Sequence, residues 1–108
     1  MIFELRSYVA MPGRLPDLHK RFREHTTKLW EKAGWNMVGF WTYKHGGRSD
    51  TLVYMLAWPD QKVRDAAFAE FGRDPEWLRA RDESEVNGPL VARITSEILQ
   101  PTDYSPLQ

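Results

Sequence analysis

The 108-residue chain contains no cysteine. That excludes disulfides, thiolate nucleophiles and cysteine-bound zinc, and it fits a reducing compartment. Net charge is absent as well, because fifteen basic and fifteen acidic side chains cancel. A neutral protein exerts no long-range pull on nucleic acid or on an anionic membrane. No apolar run approaches the ~18 residues of a membrane span. The opening Met1-Ile2-Phe3-Glu4-Leu5-Arg6 carries charges within its apolar pattern, unlike a signal peptide. Histidine is scarce: His19 and His25 fall about 240° apart on a helix, and His45 lies in a glycine loop. No metal site and no cofactor are expected from such a set. These absences describe a soluble, cytoplasmic protein forming one domain over residues 1–108.

Aromatic residues are abundant: 13 % of the chain, with five tryptophans. Large rings should therefore dominate burial. Residues 2–10 alternate as a strand, with Phe3, Leu5, Ser7 and Val9 on one face and Ile2, Glu4, Arg6 and Tyr8 on the other. A helix is predicted over residues 15–33. Its apolar stripe is Leu15, Leu18, Phe22, His25, Leu29 and Ala33, and its solvent face includes Arg14, Asp17, Arg21 and Glu24. Residues 35–43 and 51–58 form a hairpin through His45-Gly46-Gly47. Trp35, Met37, Trp41 and Tyr43 point one way in it, Val38 and Phe40 the other. Asp60 and Asp74 are cap candidates for helices over 60–71 and 74–83. The first of these should bury Val63, Ala66, Ala67 and Phe71. A last strand covers 90–99, and a proline-containing tail should lie extended against a surface.

The order strand, helix, strand, strand, helix, strand is that of the split βαβ, an α+β ferredoxin-like fold with a four-stranded antiparallel sheet. Both helices cover one sheet face. The hairpin is apolar on both of its faces, so the second sheet face also needs cover. A second copy of the chain, in a closed two-fold homodimer, is the expected source.

The motifs Glu4-Leu5-Arg6-Ser7-Tyr8, Pro12-Gly13-Arg14-Leu15, Gly39-Phe40-Trp41, Arg64, Asp74-Pro75-Glu76-Trp77 and Ile98-Leu99-Gln100-Pro101 span nearly the whole chain. In this order and spacing they resemble the NIPSNAP family. The resemblance implies a dimeric α/β barrel, in which two ferredoxin-like subunits pack sheet against sheet. The family has no single agreed reaction, and its animal relatives are linked to mitochondria and vesicle trafficking. The wider barrel superfamily includes cofactor-free monooxygenases, haem-degrading enzymes and small isomerases, with ligands held between sheet and helices. Fold kinship does not transfer a reaction, so whether this chain is an enzyme stays open.

The candidate ligand-binding residues are Arg6, Tyr8, His25, Trp41, Tyr54 and Arg64. His25 in the apolar stripe is either a polar group in a helix–sheet pocket or a core histidine with its hydrogen bond satisfied, the commoner case. With Tyr54 and Trp41 it is a candidate for proton transfer and substrate orientation in an oxygenase or isomerase reading. Arg6 either binds a carboxylate or phosphate, or joins Tyr8, Arg93 and Glu97 in a cross-strand charge layer at the dimer interface. Arg64 anchors its helix to the sheet edge or to Trp77. An RNA-binding module shares the element order. However, strand 51–58 lacks the basic glycine–aromatic motif such modules use. What remains is a small, largely apolar ligand or, alternatively, a non-enzymatic interaction surface.

Overall fold

The computed structural model describes every residue, Met1–Gln108. Strand β1 (Ile2–Ala10) leads through a Pro12-Gly13 turn into a first helix built of α1 (Leu15–Arg21), a π-helical turn (Phe22–Thr26) and α2 (Thr27–Lys32). The hairpin β2 (Asn36–Thr42) and β3 (Thr51–Trp58) comes next, then α3 (Gln61–Phe71), α4 (Pro75–Ser84) and β4 (Val91–Leu99). The strands lie side by side in the order β2-β3-β1-β4, all antiparallel, with the helices on one face. The fold is α+β and ferredoxin-like, as the element order implies. No helix is long and apolar enough to cross a membrane.

Local chemistry sets the helix starts. Asp60 Oδ1 accepts from the Val63 N–H at 2.8 Å, and Asp74 Oδ1 accepts from the Glu76 N–H at 2.9 Å. Each satisfies an amide the helix itself cannot, and Pro75 sits where no amide hydrogen is needed. Of the expected α3 stripe, Ala67 and Phe71 face inward, joined by Arg64 and Phe68, whereas Ala66 is exposed and Val63 is 43 % exposed. The tail over residues 100–108 leaves Tyr104 83 % exposed, so its aromatic does not rest on this chain.

The first helix departs from the expected stripe for a geometric reason. Four residues cover about 400° of an α-helix, so side chains spaced by four drift about 40° per step. The π turn uses an extra residue, with the Thr27 N–H reaching back five positions to the Phe22 carbonyl. Thr27 Oγ1 donates to the same carbonyl at 2.8 Å. The drift is cancelled, and Leu18, Phe22, Thr26 and Trp30 stay on the buried face. His25 is turned out to solvent, as is Ala33. Trp30 fills the space instead, stacked on Trp35 with centroids 4.7 Å apart and meeting Phe22 edge-on at 5.8 Å.

A second slip changes the hairpin. Between Met37 and Gly39 the β2–β3 register shifts by one residue. Such a bulge reverses the parity of every later residue in the strand. Met37 and Phe40 therefore share the helix face, while Trp41 turns to the open face and is 51 % exposed. Its ring lies back over Gly39, where a Cβ would stand 2.7 Å from it.

Strand β1 sends its more polar parity inward. Glu4, Arg6 and Tyr8 face the helices and are buried, beside Leu56, Tyr54 and Leu52 of β3. Its apolar parity, Leu5 and Val9 among them, faces away with Val53 and Met55. The molecule is a thin slab, 46 × 37 × 19 Å. It exposes 7036 Å², against roughly 6,200 Å² for an average monomer of its mass.

Candidate functional site

Glu4 is the centre of the helix-side polar cluster. Its side chain is fully buried, and its two oxygens accept five hydrogen bonds. Arg64 grips it with two, Nε to Oε1 at 3.0 Å and Nη2 to Oε2 at 2.7 Å. Arg6 Nη1 adds one at 2.9 Å, Trp58 Nε1 one at 3.0 Å and Ser96 Oγ one at 2.6 Å. Burial alone would push the Glu4 carboxyl up, but the bonds from Arg64, Ser96 and Arg6 outweigh it and hold it at about 2. Glu4 is thus a permanent anion with no lone pair left for a substrate. It ties α3, β3 and β4 to β1.

Arg6 uses two further donors on phenols, Nε to Tyr54 Oη at 2.7 Å and Nη2 to Tyr8 Oη at 3.1 Å. Its burial is outweighed by Tyr54, Tyr8 and Glu4, so it stays charged. Burial, reinforced by Tyr8, pushes the Tyr54 phenol well up against the opposing pull of Arg6. Two arginines and one carboxylate leave this layer one positive charge in excess, shielded by aromatic rings. Phe68 lies 4.6 Å from the Arg6 guanidinium and 4.3 Å from that of Arg64.

Beside this cluster, between the first helix, α4 and the sheet, lies a cavity of about 340 Å³. Its walls are Phe22, Trp30, Phe68, Phe71 and Trp77, with Arg6, Tyr8, Arg21 and Thr26 among them, and Ile94 of the edge strand closes one side. Three buried side-chain polar atoms lack any partner: Arg21 Nε, Thr26 Oγ1 and Trp30 Nε1. All three belong to residues of this wall. A larger groove of about 740 Å³ runs past Trp35, Trp58, Val63 and Phe71. None of its lining residues has a buried polar atom left unpaired. The smaller cavity is therefore the better candidate, because orphaned buried groups require an explanation. No three histidine, aspartate or glutamate side chains come together anywhere in a metal-binding arrangement.

Of the residues singled out in the sequence, Arg6, Tyr8, Tyr54 and Arg64 meet in the layer around Glu4. His25 and Trp41 do not join them. His25 is on the solvent side of the π turn, and Trp41 is on the opposite face of the sheet. Arg93 and Glu97 pair with Val9 and Leu5 on that opposite face as well. The expected charge layer with Arg6 and Tyr8 is therefore absent: strand parity separates the two pairs, and Arg6 meets Ser96 in register instead. Arg64 anchors to Glu4, not to Trp77, whose ring lies under Arg21 at 5.1 Å.

Glu4, Arg21, Thr26 and Trp30 complete the site, and sequence reasoning does not single them out. The helical pattern puts Arg21 on the solvent face, but α4 packs over that side and leaves it 6 % exposed. The end of α4 and the turn after it are held there by Arg14, which donates to the Ser84 carbonyl at 3.5 Å and to the Asn87 carbonyl at 3.0 Å.

The NIPSNAP family model matches residues 3–106, essentially the whole chain. The chain belongs to the NIPSNAP family. Solved NIPSNAP structures agree at low identity. A NIPSNAP family protein from Agrobacterium tumefaciens superposes with a TM-score of 0.86 at 23 % identity, covering 99 % of this chain and 98 % of that one. A second from the same organism, described as of unknown function, gives 0.85 at 22 % identity, covering 100 % and 94 %. A putative antibiotic biosynthesis monooxygenase from Nitrosomonas europaea shares the fold more loosely, with a TM-score of 0.60 at 14 % identity over 94 % of this chain and 98 % of that one. No curated protein matches the chain. Glu4, Arg6, Tyr8 and Arg64, all within the matched range, stand together in space. NIPSNAP membership assigns them no reaction.

Proposed function

We propose that this NIPSNAP protein is a homodimer, joined through the open sheet faces, that binds a small and largely apolar ligand between sheet and helices. The binding reading rests on one observation: the 340 Å³ cavity has aromatic walls into which the poorly bonded arginine Arg21 is set, with Arg6 and Tyr8 beside it. A pocket that is mostly apolar with a few fixed polar groups is the usual form of a small-molecule site. The volume is at the small end of the roughly 300–1,000 Å³ such sites occupy. The dimer reading is supported by the outward apolar parity of β1 and by the thin slab shape. Exposed Trp41, Val38 and Leu99 extend that surface.

The residues favour binding over turnover. Glu4 is spent on its five donors, and the one carboxylate in the cavity wall, Glu85, stands 3.8 Å from Arg21. Native mass spectrometry of freshly purified protein tests the reading. The expected spectrum shows a dimer carrying a small-molecule adduct that collisional activation removes. Bare monomer under gentle desolvation would overturn both halves of it.

A further inference from the structure

Three arginines lie in the helix-side layer, and they differ sharply in how well they are bonded. Arg6 makes three hydrogen bonds, all at 3.1 Å or less. Arg64 makes three, two of them to Glu4. Arg21 makes one, from Nη1 to Ser84 Oγ at 3.3 Å. Its nearest carboxylate, Glu85, is at 3.8 Å, and its Nε has no partner. A guanidinium carries five N–H donors. Burying one with a single long bond is costly, and burial pushes Arg21's pKa down despite Glu85. Arg6 and Arg64 are structural cations, satisfied within the fold. Arg21 is a buried cation with unused donors at the wall of a cavity.

The other orphaned groups have the same sense. Trp30 Nε1–H can only donate, and Thr26 Oγ1–H can donate. Of the arginines in that wall, Arg6 is paired with Glu4 at 2.9 Å and Arg81 with Asp82 at 3.3 Å, whereas Arg21 has only Glu85 at 3.8 Å. What is missing from this wall is an acceptor bearing negative charge. The rest of the wall is aromatic, which suits a flat apolar body and not a compact, strongly hydrated ion.

Resting on the ligand-binding reading above, we propose that the cavity selects a small planar organic anion, one or two rings bearing a carboxylate or enolate oxygen, with Arg21 as its counter-ion. The apolar body lies among Phe22, Trp30 and Phe71, and the anionic oxygen pairs with the Arg21 guanidinium, whose Nη2 has no hydrogen bond within the protein. The ligand supplies the charge partner that the fold gives to Arg6 and Arg64 but withholds from Arg21.

Calorimetric titration with matched pairs tests this: benzoate against benzamide, and 2-naphthoate against 2-naphthamide. A charge-assisted hydrogen bond predicts that each acid binds roughly ten- to a hundredfold more tightly than its amide. Arg21→Gln should bring the acid down to the amide's affinity and leave the amide unchanged. Arg21→Lys should restore part of the difference. If Arg21→Gln fails to fold, the wild-type ratio of acid to amide still decides. Equal affinity of acid and amide, or an unaltered ratio in Arg21→Gln, overturns the anion proposal while leaving ligand binding intact. Failure of both acids and both amides to bind overturns the ligand-binding reading itself.

Discussion

Glu4→Gln should cost about 3–5 kcal/mol of stability, the usual loss when one partner of a buried ion pair is removed. The neutral amide keeps the shape of the carboxylate but not its charge, and its nitrogen presents hydrogens to the Arg6 and Arg64 donors. Arg64 is 21 % exposed at its side chain and can swing toward water, but Arg6 cannot. Against a typical total of roughly 5–15 kcal/mol, this is a large fraction. The same carboxylate sets the acid limit of the fold. Its pKa falls from 4.5 in the unfolded chain to about 2 in the folded one. A depressed carboxylate pKa stabilises fully above the unfolded value, and the contribution is lost as pH falls from about 4.5 through about 2. The size of that loss is about 3 kcal/mol. Urea denaturation of both proteins at pH 7 and pH 3, at one fixed chain concentration, checks both statements. The wild type should weaken on acidification through this group, and the variant should lack that component. A change below about 1 kcal/mol at pH 7 would mean that the Glu4 cluster is not what joins α3 and β4 to β1.

Leu5→Glu should abolish the proposed dimer. Leu5 sits in the middle of the open face, opposite Met55 on β3 and Glu97 on β4. In a monomer this face meets water, so a glutamate there costs the fold only the cross-strand repulsion with Glu97, roughly 0.2–1 kcal/mol. In a dimer it buries charge against apolar surface, which association cannot repay. Sedimentation at micromolar concentration should give about twice the 12.7 kDa chain mass for the wild type and the chain mass itself for Leu5→Glu. Circular dichroism should be unchanged. A monomeric wild type, or a variant that stays dimeric, would show that the open face is not an interface between copies.

The fold is legible in the sequence to a high degree because alternation and cap chemistry are local. Strand β1 ends where its alternation ends, and Asp60 and Asp74 cap the helices after them. The site is legible only in part. The side chains of Arg6, Tyr8 and Tyr54 meet because they share a strand face or stand opposite on neighbouring strands, as period-two reasoning requires. His25 escapes the expected stripe because a uniform 3.6 residues per turn does not hold here, and one π turn moves every later position. A signal is present: Trp30, the largest side chain of that segment, lies outside the expected stripe, while Leu18, Phe22, Thr26 and Trp30 repeat at intervals of four. Trp41 is displaced by a single-residue bulge, which alternation cannot reveal. Arg21 reads as solvated because no property of its own helix shows that α4 will cover it. Glu4 stands out only as part of a motif, since its role depends on Arg64 sixty positions away.

The most direct test of the claim that the cavity between the first helix, α4 and the sheet is the binding site is a proton–nitrogen NMR titration of the indole resonances with 2-naphthoate. The five tryptophans give five indole signals, and Trp30→Phe and Trp41→Phe assign the two that matter. The unpartnered Trp30 Nε1–H should shift on binding, while that of Trp41, on the other side of the sheet, should stay in place. A ligand that moves the Trp41 signal and leaves Trp30 unmoved would contradict the account.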